Sequence, residues 1–516
     1  MNMSLGFWKL AADRPDWIAL VAHDGTEHRA GDVLARTHRL VHGLRDRGIG
    51  RGDAVAAVMH NSVDFLALFL AVGQCGAFLV PVNWHLTAPE IAYILTDSST
   101  KAVFCSPEFA DAALTAADEA GIPGSMRFCT VAGPGLQSIS AIEEGQPDSL
   151  PDDRTAGSAM HYTSGTTGRP KGVRRPLPPV APELVATGYA QFLCLFGMRP
   201  FEGVHLVFSP MYHTAVLNFA TSSLHLGHTV VVMRKWDAEG ALRRIEAHSV
   251  TQTHMVPTQL IRLLALPEEA RSRYDVGSLR HVIHSAAPCP AHVKRAMLEW
   301  WGPCIYEYYA ATEGGGTLVG PEEWLERPGT VGKAWPGSTV RVLDDEGDDL
   351  PPGEVGTVWM RMGEHTFEYH GDKSKTDKAW NQGFFTVGDA GYLDADGYLF
   401  LCDRKADMII SGGVNIYPAE IEAVLIEHPA VADVAVFGVP DEEWGEAVMA
   451  VVEAAAGRPV GPGLGTDILA WASDRLAKYK RPRRVDFTDA MPRDDNGKLY
   501  KRKLRDPYWA DTGRAI

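Results

Sequence analysis

The chain has 516 residues, of which 45% are hydrophobic and 22% are charged, close to the averages for globular proteins. This length corresponds to about three domains of ordinary size and allows a large core, which excludes a disordered, collagen-like or disulfide-dependent mini-protein. The 49 lysines and arginines against 65 aspartates and glutamates give a formal net charge of −16. This charge argues against a protein that coats nucleic acid or an anionic membrane.

The cysteines and the hydropathy pattern indicate the compartment. The seven cysteines are scattered, with no CxxC pair and no metal-ligand spacing. This distribution is typical of reduced thiols in the cytoplasm rather than of a disulfide framework or a zinc site. No stretch approaches 18 consecutive uncharged apolar residues, so no integral membrane span is expected. We therefore expect a cytoplasmic protein with no nucleic-acid partner, and a homodimer is compatible with these features.

Short apolar strands alternate with helices in the first part of the chain. The pattern predicts a helix at 63–72 and strands at 53–59, 78–82 and 101–105. Thr87 followed three residues later by Glu90 is a capping-box pattern, which predicts the start of another helix. Strands joined by helices favour a parallel sheet with right-handed crossovers.

The remaining chain divides into three regions with different predicted secondary structure. Strands are predicted at 204–208, 229–233, 253–256 and 281–284. From 329 to 402, alternating segments separated by turn sequences predict a small β-rich subdomain. Beyond it, helices at 419–426 and 467–478 and strands at 434–437 and 448–452 predict an α+β unit. The expected fold class is α/β, with a large N-terminal body of parallel α/β subdomains plus a small β unit (1–403) and a small mobile α+β C-terminal domain (404–516).

The stretch 162–172, with sequence YTSGTTGRPKG, carries the clearest chemical signal. Glycines let backbone N–H groups surround an anion, hydroxyl groups add donors, and Lys171 adds positive charge. The Walker A pattern GxxxxGK[ST] is absent, so this is another kind of phosphate loop. From these residues alone, a polar surface loop is the alternative interpretation.

This stretch resembles the phosphate loop of the adenylate-forming superfamily, which includes acyl- and aryl-CoA synthetases, luciferases and peptide-synthetase adenylation domains. The resemblance extends over most of the chain and is to the acyl-CoA synthetase family within it. It implies ATP, Mg²⁺ and coenzyme A as cofactors, with Thr167 as a metal ligand. The implied nucleotide contacts here are Thr163, Ser164, Gly165, Thr166, Thr167, Gly168, Lys171, Ala286 and Ala287.

The segment 307–313, with sequence EYYAATE, resembles the YGxTE motif of the same superfamily. The resemblance implies that Tyr309 packs on adenine, Thr312 contacts phosphate and Glu313 binds Mg²⁺. A flat ring suits a flat base, and a carboxylate suits a hard cation. Ala310 takes the position of the motif glycine, where acetate-selective relatives carry a bulky tryptophan, so the acyl channel is expected to stay mostly open.

Four further positions match motifs in the second half of the chain. The resemblance implies that Asp389 accepts hydrogen bonds from both ribose hydroxyls and that Arg404 also reaches the ribose. Gly413 lies in a segment similar to the wall of the pantetheine tunnel, where small residues suit a narrow thiol arm. Lys498 matches the lysine that bridges the substrate carboxylate and the α-phosphate. Basic residues are concentrated around it, at 478–503, where phosphates are expected, although a solvated basic face is the alternative.

The segment 210–215 resembles the gate beside the acyl substrate. The predicted substrate pocket consists of Tyr212, His213, Leu217 and Ala310. The predicted catalytic residues are His213, Thr312, Glu313 and Lys498. Because Phe219 and Ala220 are also apolar, a medium- or long-chain fatty acid, or a bulky acid such as a sterol side-chain acid, is the expected substrate.

The resemblance implies an AMP-forming acid–thiol ligase that makes an acyl adenylate from a small carboxylic acid and passes the acyl group to coenzyme A. Three alternatives are kept. In the first, the enzyme transfers the acyl group to an amine or a carrier protein. In the second, it is an oxygen-using luciferase-like protein, and in the third the chain is a catalytically silent nucleotide-binding protein. Pyrophosphate release with acid alone, and AMP release only with coenzyme A, would distinguish them.

Overall fold

The computed structural model describes residues 5–163, 170–364, 366–404, 407–412, 414–441, 443–494, 497 and 499–510. Within these residues the expected fold class is confirmed, because parallel sheets build a large N-terminal body and a smaller, mostly antiparallel unit follows it. No described helix is long and apolar enough to cross a membrane.

A six-stranded sheet forms the first part of the body, with all its neighbouring strands parallel. In spatial order its strands are Gln137–Ser138, Arg127–Cys129, Thr100–Cys105, Ala54–Val58, Phe78–Pro81 and Ser158–Ala159. Every residue of Ala54–Val58 is buried, as expected for a parallel strand with helices on both faces. The Glu90 carboxylate accepts hydrogen bonds from the backbone N–H and the hydroxyl of Thr87, which confirms the predicted helix start.

A nine-stranded sheet forms the second part of the body within the described residues. In spatial order its strands are Lys333–Ala334, Gly316–Val319, Ile305–Ala310, His281–His284, Gln252–Met255, Val204–Val207, Thr229–Val232, Ile18–Val21 and Glu27–Arg29. The six strands from Ile305–Ala310 to Ile18–Val21 are parallel, and the strands outside them are antiparallel. The strands predicted in this region are therefore confirmed to within one or two residues.

Buried histidines lie inside the nine-stranded sheet. His205, His254 and His284 occupy three adjacent strands and are at most 3% exposed. His205 Nδ1 lies 2.8 Å from Ser223 Oγ, and His254 Nε2 lies 3.0 Å from Ser285 Oγ. Burial lowers the pKa of His205 and of His254 to about 3 and lowers the pKa of His284 well below its ordinary value. These rings are therefore neutral at physiological pH.

Two smaller sheets accompany the two large sheets of the N-terminal body. One is antiparallel and contains His161–Thr163, Lys171–Arg174 and Glu368–Tyr369. The other is the antiparallel unit predicted between 329 and 402, with strands Ser338–Leu343, Gly356–Met362, Trp380–Asn381, Phe384–Phe385, Asp389–Leu393 and Leu399–Arg404. Its last strand runs across the predicted domain boundary at 403/404, which itself stays a prediction.

The C-terminal unit has its own sheet and core. Its strands are Ile409–Ser411, Val414–Ile416, Val431–Asp441, Gly445–Ala454 and Arg484–Thr488. Ile409, Val436, Val452 and Ile468 belong to one buried cluster formed by this unit. The helix predicted at 467–478 spans Pro462–Arg475. It begins earlier because Pro462 occupies its first turn, where proline is favoured, although the Pro-Gly sequence reads locally as a loop.

The helices cover both faces of these sheets. Those in the body are Phe7–Asp13, Ala30–Asp46, Val63–Cys75, Ala88–Asp97, Ala110–Glu119, Ser140–Glu143, Pro182–Cys194, Thr214–His225, Ala238–Ala247, Pro257–Leu264, Glu268–Ser272, Ala291–Trp301, Pro321–Glu326 and Lys373–Ala379. Those in the C-terminal unit are Pro418–Leu425, Pro462–Arg475 and Lys501–Trp509.

Candidate active site

Several predicted segments directly follow parallel strands of the nine-stranded sheet. Val204–Val207 leads to the gate at 210–215, His281–His284 leads to Ala286, and Ile305–Ala310 leads to Thr312. The carboxyl ends of parallel strands meet at one edge of a sheet, which is the usual ligand site in open α/β folds. The sheet therefore brings these segments to one edge.

The backbone is unusual at the predicted nucleotide segment. Ala286 has φ of +75°, in the left-handed region that residues with a Cβ atom rarely adopt. It lies one residue after Ser285 and directly before Ala287, at the end of a buried strand. Strained residues of this kind cluster at functional sites. The roles of Ala286 and Ala287 as nucleotide contacts stay predictions.

Glu313, the predicted metal ligand, is held by a residue that no motif marked. Tyr369 Oη donates a hydrogen bond to Glu313 Oε1 over 2.8 Å, and both side chains are buried. Burial, followed by the negative charge of Glu313, raises the pKa of Tyr369, so the phenol remains a donor. Tyr369 therefore orients the carboxylate on which the predicted metal site depends.

Lys171, the predicted phosphate-binding cation, forms an ion pair with a second residue that no sequence motif identified. Its Nζ forms an ion pair with the carboxylate of Asp372. The His370 N–H donates to the Gly172 carbonyl over 2.9 Å, so the segment 368–372 runs beside the strand that begins at Lys171. A tyrosine and an aspartate in a short polar stretch form no recognisable pattern, so no sequence signal could have identified them.

The predicted adenine and ribose contacts touch each other. Tyr309 Oη donates to Asp389 Oδ2 over 2.7 Å, although 80 positions separate them. Asp389 begins a strand that is in register with Arg404 on the neighbouring strand. The structure thus brings Tyr309, Asp389 and the backbone of Arg404 together.

Thr312, the predicted phosphate contact, is tied to two other elements. Arg175 Nη2 donates to the Thr312 carbonyl, and Thr312 Oγ1 lies 3.3 Å from Thr214 Oγ1. Arg175 directly follows the strand Lys171–Arg174, and Thr214 begins the helix next to the gate. These contacts join the strand after the phosphate loop, the gate and the end of Ile305–Ala310.

The predicted gate residues are adjacent rings. The Tyr212 and His213 centroids are 4.2 Å apart, and Trp84 approaches Tyr212 edge-on at 5.9 Å. His213 precedes the first residue of the helix Thr214–His225. Tyr212 is buried and His213 is half-buried.

The other two predicted pocket residues lie in different clusters. Leu217 is fully buried in the large core of the body, whereas Ala310 packs against an aromatic cluster. That cluster contains Phe192, Phe196, Phe219, Tyr306, Tyr308 and Trp335. Leu217 and Ala310 thus belong to different packed clusters, with an aromatic wall packed beside Ala310, and their shared role in a substrate pocket stays a prediction.

Several predicted site residues lie outside the described residues. These are Ser164, Gly165, Thr166, Thr167, Gly168, Gly413 and Lys498. For Thr163 and Arg404 the structure describes only the backbone. The roles assigned to these residues stay predictions.

The residue before Lys498 contacts the N-terminal body. Gly497 has φ of +73°, and a Cβ atom built on it would lie 2.0 Å from Thr258 Oγ1. Thr258 is in the first turn of Pro257–Leu264, which follows a parallel strand of the nine-stranded sheet. Gly497, directly before Lys498 in the chain, therefore lies at the same edge as the other predicted residues.

Many basic residues near the C-terminus are neutralised locally. The ion pairs are Lys480–Glu420, Arg483–Asp441, Arg484–Asp486, Arg493–Asp433 and Lys501–Glu422. These local ion pairs argue against a phosphate-binding patch at these five basic positions.

The described residues fit a magnesium ion held mainly by substrate. Among them, no group of three or more histidine, cysteine, aspartate or glutamate side chains could hold a metal. Mg²⁺ is usually bound by one or two carboxylates together with substrate phosphates. Glu313 suits this role, because Tyr369 bonds to Oε1 and, within the described residues, Oε2 accepts no hydrogen bond.

Comparison with known proteins gives the family. The AMP-binding enzyme family matches residues 7–369, and the AMP-binding enzyme C-terminal domain matches residues 420–498. The chain is 35% identical over 498 residues to the fatty acid–[acyl-carrier-protein] ligase ScoC of Streptomyces coeruleorubidus, covering 93% of this chain and 91% of ScoC. It is 35% identical over 488 residues to the long-chain-fatty-acid–CoA ligase FadD13 of Mycobacterium tuberculosis, covering 92% of each.

A solved structure agrees over the whole chain. The crystal structure of ATP-bound MatB from Rhodopseudomonas palustris superposes with a TM-score of 0.84 and 30% sequence identity, covering 99% of this chain and 100% of MatB. The chain therefore belongs to the AMP-binding enzymes, the adenylate-forming superfamily that its motifs resemble.

Proposed function

We propose that this protein is an ATP-dependent acid–thiol ligase that activates a hydrophobic carboxylic acid and forms its coenzyme A thioester. The observation that carries the proposal is the contact of Tyr309 with Asp389 at the sheet edge that also holds Thr312 and Glu313. Residues with implied adenine, ribose, phosphate and metal roles are thus neighbours. The names of ScoC and FadD13 add support for fatty acids as substrates.

In the first step, a substrate carboxylate oxygen bonds to the α-phosphorus of ATP, and the bond to the pyrophosphate oxygen breaks. Both reactants are anions, so the barrier is largely electrostatic. Lys171 and Lys498 would offset the repulsion, and the hydroxyl and N–H donors of 163–168 would hold the phosphates. Mg²⁺ held by Glu313 and Thr167 would add positive charge at the phosphates.

In the second step, the coenzyme A thiol attacks the acyl carbonyl and AMP leaves. We propose that the unit 404–516 turns relative to 1–403 between the steps, which withdraws Lys498 and brings Gly413 towards the thiol arm. The second candidate is transfer to a carrier protein or an amine. ScoC supports it, since ScoC is as similar to this chain as FadD13 and is named for a carrier-protein acceptor.

The aromatic wall beside Ala310 supports an apolar acyl group. A methyl side chain at 310 leaves more room than tryptophan, and the side chains packed beside it are mainly aromatic. Discrimination against short acids should be modest, because each methylene contributes about 1–3 kcal/mol. We expect octanoate to be activated better than acetate or propionate, and the reverse order would contradict this substrate class.

The test separates the two steps. Acid-dependent pyrophosphate–ATP exchange measures adenylation, and AMP release is then measured with coenzyme A, a loaded carrier protein or an amine. We expect exchange with acid alone and AMP release with coenzyme A. AMP release with only one of the other acceptors would favour the second candidate, and absence of exchange with any acid would exclude both.

Lys498→Ala tests whether this lysine acts in adenylation but not in thioester formation. We expect it to abolish exchange while thioester formation from supplied acyl adenylate is largely retained, because the lysine acts on the α-phosphate. Lys503→Ala, a nearby exposed lysine, is the matched control and should leave both steps intact. Equal loss of both steps in Lys498→Ala would refute the assigned role.

A further inference from the structure

A buried asparagine binds the backbone on both sides of Pro210, in the segment that leads into the gate. Asn61 is 4% exposed and lies three residues after the strand Ala54–Val58. Its Nδ2 donates to the Ser209 carbonyl over 2.8 Å, and its Oδ1 accepts from the Met211 N–H over 2.8 Å. One side-chain amide thus holds the chain before and after the proline.

The same amide joins the ends of two neighbouring strands. Its Nδ2 also donates to the Met233 carbonyl over 3.2 Å. Ser209 and Met233 follow Val204–Val207 and Thr229–Val232, which are paired in the nine-stranded sheet. Asn61 itself follows a strand of the six-stranded sheet, so its side chain fixes the edge of one large sheet from the other.

Asn61 is held firmly at its own end. Ser62, the next residue, accepts a hydrogen bond from the Phe65 N–H over 3.1 Å and so caps the helix Val63–Cys75. Most residues of that helix are buried. Because Asn61 directly precedes a capped and buried helix, it can set the position of the backbone that it binds.

An amide matches all three partners. Two carbonyl oxygens need donors and one N–H needs an acceptor, which an asparagine side chain supplies. An apolar or an acidic residue at 61 would leave buried carbonyls without their donor. Pro210 has no N–H, so this stretch cannot be held by backbone pairing alone. The backbone path at 209–211 therefore depends on Asn61.

The gate residues follow directly from this stretch. The His213 N–H donates to the Pro210 carbonyl over 3.2 Å, which forms the turn that carries Tyr212. The hydroxyl of Thr214, the next residue, lies 3.3 Å from that of Thr312. The gate therefore begins at the proline that Asn61 holds and ends beside the predicted phosphate contact.

We propose that Asn61 is a positioning residue for acid activation, whose amide fixes the gate so that Tyr212 and His213 lie beside the acyl group. Its bonds go to the backbone of 209, 211 and 233, so it acts through the gate and not on a substrate. A gate that is fixed in advance need not be ordered when the acid binds, which lowers the cost of binding. The proposal rests on the adenylation function above and adds a residue that governs the acid rather than ATP.

The test measures KM for each substrate separately in acid-dependent pyrophosphate–ATP exchange. KM for octanoate is measured at saturating ATP, and KM for ATP at saturating octanoate. Asn61→Asp keeps the size of the side chain and an acceptor for Met211, but it turns the donor into an oxygen that faces two carbonyls. We expect KM for octanoate to rise tenfold or more and KM for ATP to change less than twofold.

Two further variants complete the set. Asn61→Ala removes all three hydrogen bonds without placing a charge in the core. It should act in the same direction, and it tests the proposal if Asn61→Asp fails to fold. Thr37→Val is the matched control, because Thr37 is also buried in the body and its hydroxyl donates within its own helix to the Leu34 carbonyl. It should leave both KM values unchanged.

The KM values separate positioning from support of the fold. If the Asn61 variants lower only kcat and leave both KM values unchanged, the residue merely supports the fold, since a smaller fraction of active protein changes the rate and not KM. An equal rise in both KM values, or no change in any constant, would also overturn the proposal. Absence of exchange with every acid in the unaltered protein would instead refute the adenylation function, and this proposal with it.

Discussion

Gly497→Ala tests the contact that holds the segment next to Lys498 against the N-terminal body. In the structure, an added Cβ would lie 2.0 Å from Thr258 Oγ1 and 2.9 Å from Thr258 Cβ. Ordinary contacts between heavy atoms are about 3.5 Å, so the segment would have to withdraw by about 1.5 Å. We expect this withdrawal to displace Lys498 from the α-phosphate.

The backbone conformation adds a second penalty. Gly497 has φ of +73°, and this region costs a residue with a Cβ atom about 1–2 kcal/mol. That energy alone corresponds to about a 5- to 30-fold change in a rate or an equilibrium. With the steric contact added, we expect adenylation to slow by at least tenfold.

The assay is single-turnover pyrophosphate release, followed separately by thioester formation from supplied acyl adenylate. Gly497→Ala should slow only the first reaction. Gly457→Ala is the matched control, because Gly457 has φ of +77° in the same C-terminal unit and a Cβ there would meet nothing within 4 Å. Adding Thr258→Ala to Gly497→Ala removes the nearest atom and should recover part of the rate.

The reasoning fails if Gly497→Ala and Gly457→Ala release pyrophosphate at the same rate. It also fails if Thr258→Ala gives no recovery, since the steric part of the penalty arises from that side chain. Equal slowing of both reactions by Gly497→Ala would indicate general loss of structure rather than displacement of the segment before Lys498.

Three further predictions follow from other parts of the structure. Tyr369→Phe removes the hydrogen bond to Glu313, and we expect about tenfold more Mg²⁺ to be needed for half-maximal exchange; an unchanged Mg²⁺ titration would refute the orienting role. Ala310→Trp should lower kcat/KM for octanoate far more than for acetate, and equal losses would show that residue 310 does not limit acyl length. Neutral buried histidines such as His205 and His254 have folded pKa values of about 3, below the ordinary value of about 6.5, so the unfolded chain binds more protons between these limits. The contribution of each such ring to the free energy of unfolding should therefore be fully present above pH 6.5. As the pH drops from 6.5, it should decrease by about 1.4 kcal/mol per pH unit for each ring, and His254→Gln should make this pH dependence less steep. Unfolding midpoints that stay constant from pH 7 to 4.5 would contradict the prediction.

Most of the secondary structure could be predicted because its causes are local. The apolar run at 53–59 became the buried strand Ala54–Val58, and the Thr87–Glu90 pair begins a helix as its capping pattern indicated. The helix Pro462–Arg475 differs from its predicted range of 467–478, because it begins at Pro462 in a stretch that looks like a loop in isolation. Ion pairing of the C-terminal basic residues also could not be predicted, because it depends on which acidic side chains the sheet brings beside them.

The amino-acid sequence by itself determined the superfamily and the chemical types in the site, because motifs such as 162–172 and 307–313 carry their residues in short, local spacings. Only the tertiary structure decided which residues hold those groups. Tyr369 reaches Glu313 across 56 positions, Arg175 reaches Thr312 across 137, and Asp372 reaches Lys171 across 201. Contacts over such separations depend on how sheets and strands pack, and a single sequence has no local pattern that encodes them.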